Sequence, residues 1–192
     1  MNTTRLEAFS DGVLAIIITI MVLELRVPHG TEWSSLAPLW PVFLSYLLSF
    51  VYLGIYWNNH HHMLHATTRV SGGALWANLH LLFWLSLVPV VTGWMGDNPH
   101  APLPAAAYGL VMLFAAIAYT ILQTTLVRDA AHNVALQRAV GSDVKGKISL
   151  VLYLASIPLA FVSTWISIAI FVGVALIWLV PDRRIERVLA TD

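Results

Sequence analysis

The feature that most constrains this chain is a series of apolar runs long enough to cross a lipid bilayer. A helix needs about 20 mostly apolar residues to span a hydrocarbon core of roughly 30 Å. Four runs meet that length: Leu6–Leu25, Leu36–Trp57, Gly73–Met95 and Pro104–Val127. A fifth, Ile148–Val180, carries no charge over 33 residues. As one helix it would be about 50 Å long at 1.5 Å per residue, far too long for a single crossing. Pro158 and the Ser163-Thr164 pair predict a break, with two short spans meeting near Ser163–Ser167. Charged residues make up 10% of the chain, against roughly 25% in an ordinary globular domain. The polar surface is therefore too small to cover a soluble globule, and the predicted class is an all-α polytopic membrane protein.

Charge parity separates five spans from six. With six, Arg5, Arg69, Arg128, Arg138, Lys145, Lys147, Arg183, Arg184 and Arg187 share one side, against Arg26 alone on the other. With five, the last three arginines change sides and the bias shrinks. The positive-inside rule therefore predicts six spans in the cell membrane with both termini cytoplasmic. The last two fall at about Lys145–Val162 and Trp165–Pro181, and residues 1–192 form one transmembrane domain. The first span is not a cleavable signal, because Glu7 and Asp11 stand where a basic stretch belongs. Trp33, Trp40, Trp94 and the Tyr56-Trp57 pair lie near span ends, as interfacial anchors do. Ten basic residues balance ten acidic ones, so a nucleic-acid partner is not expected. Cysteine is absent, which removes disulfide and thiol chemistry.

The unusual chemistry sits on the first helix. Ionisable groups inside a span are costly and mark functional or locking positions. At about 100° per residue, Phe9, Gly12, Val13, Ile16, Thr19, Ile20 and Leu23 share one face. Glu7, Ser10 and Asp11 fall on the far side. The polar face must then meet partners on neighbouring helices, while the Ile16 stripe is free for lipid, for packing or for a symmetry axis. Donors suited to Asp11 occur at the same depth: Trp57 to His62 end the second span, and Trp76, Asn78 and His80 begin the third. One of His60 and His61 is expected in this polar lock. The other histidines of the His60–His65 cluster are expected at the cytoplasmic interface, where imidazoles titrate near neutral pH.

Arg5-Leu6-Glu7-Ala8-Phe9-Ser10-Asp11 has the form R-x-x-x-F-S-D at the start of the first span. It resembles the signature of the transmembrane-protein-175 family, the endolysosomal potassium channels and their prokaryotic relatives. Tyr56-Trp57-x-x-His60-His61 and Asn78…Leu85…Pro89 continue the likeness. The resemblance implies a homotetramer whose four first helices line one central pore, without a TVGYG filter. It places the narrowest ring at Ile16, five residues after Asp11, with further rings at Thr19 or Ile20 and at Leu23. It also assigns Arg5, Phe9, Ser10, Asp11, Trp57, His60, His61 and Asn78 to the motif and its interhelix network. Potassium and other monovalent cations are then the permeant species, the lipid bilayer is the surroundings, and no metal or cofactor is expected. Glu24 and Glu32 would concentrate cations at the outer mouth, partly offset by Arg26. The interfacial histidines would modulate gating as they titrate.

Two other readings compete with this one. A metal enzyme is disfavoured, because His60-His61-His62 is a lone cluster and His29, His80, His100 and His132 form no second box. H-E-x-x-H is absent as well. A secondary transporter of a cation or small solute is the stronger alternative, since Pro89 and Pro158 can mark broken helices. Against it, spans two to six lack a midplane charge on which coupling could rest.

Overall fold

The computed structural model describes residues 3–128 and 143–179. Arg138, Arg183, Arg184, Arg187 and His132 lie outside the described residues. In hydrocarbon every backbone N–H and C=O must be satisfied within its own segment, and that condition selects helices. Accordingly the described residues are helical with short connections and hold no strand. The order is α1 (Thr4–Leu23), a 3-10 turn (Trp33–Leu39), α2 (Trp40–His65), α3 (Gly72–Ser86), α4 (Val88–Asp97), α5 (Pro102–Arg128), α6 (Val144–Ala160) and α7 (Thr164–Leu179).

Two boundaries depart from the sequence expectation, and a third follows it. First, α2 runs on to His65 instead of ending soon after Trp57. Its polar C-terminal turns remain helical because they still pack: His60, Met63 and Leu64 are all buried. Second, the third span is two helices, α3 and α4, broken at Leu87. Pro89 lies in the first turn of α4, where a missing N–H costs nothing. The joint stays tight, since Leu87 N–H donates to Trp84 C=O at 3.2 Å and Val91 N–H to Leu87 C=O at 3.3 Å. Third, the long chargeless run does fold back, at residues 161–163. The arms are 17 and 16 residues, about 25 Å each at 1.5 Å per residue. Among the described residues four longer apolar segments reach crossing length on their own: α1, the 3-10 turn with α2, α3 with α4, and α5.

Helix α5 is the central post, packed against α3, α4, α6 and α7. Tyr108, Met112, Ala115, Ala118, Leu122 and Leu126 recur at three- and four-residue spacing and are fully buried. Without a hydrophobic drive between helices in lipid, association rests on close packing and interhelix hydrogen bonds. Both are present. Ser49 bonds Thr92 at 2.7 Å and Tyr108 at 3.0 Å, joining α2, α4 and α5. Tyr52 donates to the Phe171 carbonyl at 2.5 Å, and Ser167 to the Ser156 carbonyl at 2.7 Å. At Gly96 the α2 backbone comes so near that an added Cβ would lie 2.8 Å from Val42 Cα.

Gly96→Ala therefore has to push α2 and α4 apart. We expect it to cost about 1–3 kcal/mol, the usual range for overpacking, read as a lower unfolding temperature in detergent. Gly173→Ala, where nothing lies within 4 Å of the added carbon, should leave that temperature unchanged.

Candidate functional site

Helix α1 lies at the edge of the bundle and packs against α2, α3 and α4. Its inward face is Leu6, Ser10, Leu14, Ile17 and Met21, all buried. The opposite face is uncovered. Phe9 is 52% exposed, Ile16 59%, Ile20 44% and Leu23 81%. Thr19 and Gly12 are exposed too, and a Cβ added at Gly12 would meet nothing within 4 Å. Only Val13, at the margin, is half-buried and packs against the core. The stripe read from the sequence thus coincides with the surface this chain leaves without an internal partner.

What turns the stripe outward is a directional chain of hydrogen bonds. Ser10 donates its hydroxyl hydrogen to the Leu6 carbonyl at 2.8 Å. Its oxygen accepts from Asn78 Nδ2 at 3.0 Å. Asn78 Oδ1 then faces His60 Nε2 at 2.7 Å. Because the amide nitrogen is spent on Ser10, the amide oxygen must accept, and His60 must carry its proton on Nε2. Nδ1 is left bare, and it is a buried nitrogen with no hydrogen-bond partner. Ser10 and Asn78 are fully buried and His60 nearly so. One residue from each of three helices is thereby joined.

A second set of contacts lies at the rim. Trp57 Nε1 donates to Asp11 Oδ1 at 3.0 Å, and His61 Nδ1 meets Glu7 Oε1 at 2.8 Å. Glu7 and Asp11 are four residues apart on α1, as are Trp57 and His61 on α2. The two helices run antiparallel here, so their side chains pair like rungs. The His61 ring stacks between Trp57 and His65, with centroids 5.9 Å and 6.1 Å away.

Several sequence assignments need correction. Asp11 is half-buried, and it is Ser10 that enters the sealed network. Both His60 and His61 take part in holding α1, not one of them. His80 does not join the lock: it is exposed and accepts from Trp84 Nε1 at 3.0 Å. Trp76 is exposed as well. Arg5 is exposed and forms no ion pair among the described residues. Arg26 does not offset Glu24 and Glu32, because it is bound to Asp97 at 2.8 Å. Glu24 and Glu32 are both exposed at the other end of α1 from the lock. The joint between α3 and α4 is closed by buried Leu85 and Val88. It is an apolar contact, not the unwound polar turn on which a transporter's midplane site depends.

The sequence reading missed the rung between Glu7 and His61. Its signal was present, in matching four-residue spacings on two adjacent antiparallel helices. It also missed the pairing of Arg26 with Asp97, which no local pattern announces across 71 positions.

Comparison with known proteins places this geometry in context. A family model described as the endosomal/lysosomal potassium channel TMEM175 matches residues 5–89. A protein of Chryseobacterium sp. (strain P1-3) named as a potassium channel is 53% identical over 189 residues, 98% of each chain. Another so named, from Streptomyces collinus, is 32% identical over 176 residues, covering 86% of this chain and 85% of its own. Among solved structures, a lysosomal potassium-selective channel TMEM175 homologue from Chamaesiphon minutus matches with a TM-score of 0.79 at 30% identity. That match covers 94% of this chain and 97% of the other.

Breaking the buried chain should cost more than breaking a rung. Asn78→Ala leaves a buried His60 N–H and Ser10 oxygen unpaired, an expected loss of about 1–3 kcal/mol. Trp57→Phe removes one donor from a half-exposed carboxylate and should cost about 1 kcal/mol or less. Thermal unfolding of the two variants in the same detergent checks the order.

Proposed function

Since the chain belongs to the TMEM175 channel family, we propose that it is a potassium-permeable cation channel, not an enzyme, with the α1 stripe as the wall of its pore. The observation that carries this reading is the division of α1 itself. One face is tied down by buried hydrogen bonds, and the other leaves Phe9, Ile16, Thr19, Ile20 and Leu23, apolar but for Thr19, exposed and uncovered by the described chain. Four copies assembled around an axis would bring the rows together, with six spans in each subunit and both termini on the cytoplasmic side. A closed ring of identical subunits presents each residue once per copy, so Ile16, Thr19 or Ile20, and Leu23 become successive layers.

An Ile16 ring has no oxygen to offer. It can stop current by excluding water, and an ion that passes must shed part of its hydration without full replacement. Potassium holds water less tightly than sodium, so the ring penalises it less. The expected preference is modest compared with a filter of carbonyls. The Thr19 hydroxyl donates its hydrogen to the Ala15 and Ile16 carbonyls, at 2.8 and 2.9 Å. Its oxygen lone pairs are then free to face the stripped ion. Beyond it, Glu24 and Glu32 raise the cation concentration at the outer mouth. With Arg26 held by Asp97, little positive charge there opposes them.

Ile16→Asn places a polar amide where the apolar ring would stand. In proteoliposomes the variant should carry larger currents and discriminate less between potassium and sodium, by about tenfold or more in conductance if roughly 1.4 kcal/mol of the barrier is removed. Unchanged flux and unchanged ion ratios would mean that Ile16 does not form the constriction. Loss of flux with normal assembly would point the same way.

A further inference from the structure

A cavity separate from α1 lies between α2, α5, α6 and α7, and none of the assignments above uses it. Its volume is about 40 Å³, room for about three waters at roughly 10–15 Å³ each. At about 30 Å³ of liquid per water, they displace the volume of one small alkylammonium ion. The walls are mainly aromatic. Tyr56, Tyr119, Tyr153 and Trp178 face it, joined by Asn59 and Asp143. The Tyr56 and Tyr119 rings meet edge to face at 6.0 Å between centroids. Neither hydroxyl has a hydrogen-bond partner among the described residues, although Tyr56 is nine-tenths buried. Of the lining residues Asp143 alone carries a charge. It is held in the left-handed region at φ 38° as the cap of α6, accepting from the Gly146 N–H at 3.1 Å.

We infer that this cavity binds a compact organic cation, a protonated amine or methylated ammonium. Aromatic faces attract cations that are weakly hydrated, and a cage of several rings beside a carboxylate suits a quaternary ammonium. Apart from Asp143 the side-chain oxygens on the walls are neutral, and the hydroxyls of Tyr52, Thr120 and Ser149 already bond backbone carbonyls, so an inorganic ion entering would lose its water without adequate replacement. Lys145 Nζ stands 5.9 Å from the Trp178 ring centroid, so a face of that ring already has its cation and the cage rests on Tyr56, Tyr119 and Tyr153. The unpartnered hydroxyls of Tyr56 and Tyr119 supply acceptors for an ammonium hydrogen or a retained water. The occupant would tie α2 to the α5–α6 pair without touching the Ile16 stripe.

The test is equilibrium binding of radiolabelled tetramethylammonium to the purified full-length protein. Saturable binding is expected, weakened about tenfold in Asp143→Asn, which keeps the helix cap and removes the charge. Tyr119→Leu should weaken it similarly, and Tyr119→Phe, which retains the ring, should not. Neutral tert-butanol should fail to compete, and Ile16→Asn should bind as the parent does. Absence of saturable binding would overturn the inference, as would binding indifferent to Asp143→Asn. So would displacement by an equal concentration of potassium, which would assign the site to inorganic ions. Loss of binding in Ile16→Asn alone would place the ion on the α1 stripe, and so overturn this site without bearing on whether the protein conducts.

Discussion

An amide or imidazole buried away from water has no solvent to replace a missing partner, so the run from His60 through Asn78 to Ser10 and the Leu6 carbonyl is an all-or-nothing arrangement. It recruits one side chain each from α1, α2 and α3. Its directionality sets the amide orientation and the imidazole tautomer together. With that orientation settled, Leu14, Ile17 and Met21 continue the same face inward along α1. The outward face follows by geometry. The apolar stripe is therefore a consequence of polar bonding on the other side of the helix.

The rest of the bundle supplies rigidity to this arrangement. Helix α5 holds a spine of small and aliphatic residues below Tyr108 that lets four neighbours approach closely. Gly96 brings α2 and α4 nearly to backbone contact, and Gly109 admits Ser156 and Phe171. Hydroxyl groups on α2, α4, α5, α6 and α7 bond across helices where a soluble protein would use larger apolar residues. These bonds fix the positions of α2 and α4, against which α1 leans.

Much of this was legible in the sequence because it depended on periodicity. A helix repeats every 3.6 residues, so the separation of Ile16, Ile20 and Leu23 from Ser10 follows from counting. The fold-back of the last apolar run followed from length, since no bilayer accommodates 33 residues upright. The features that escaped were those set by a neighbour. His60 to His65 look like the end of a span because imidazole is polar, but burial of His60, Met63 and Leu64 against adjacent helices keeps the segment helical. The division of labour between Ser10 and Asp11 depends on which helix lies beside which face, and adjacent positions on one helix differ by about 100°. The break at Leu87 was legible only through Pro89, which can mark a broken helix but sits two residues later, inside the next helix.

The one-way character of the Ser10–Asn78–His60 run also bears on how α1 can move. Turning α1 about its long axis would pull Ser10 from Asn78, and Asn78 cannot compensate by flipping without also abandoning His60. Axial rotation is thus blocked by two simultaneous losses in a dry environment. Changes in the χ angles of Ile16 and Leu23 break none of these bonds, and such rotamer hops occur in picoseconds to nanoseconds when side chains are uncovered. The uncovered side chains of α1 can therefore re-aim while its shaft stays still.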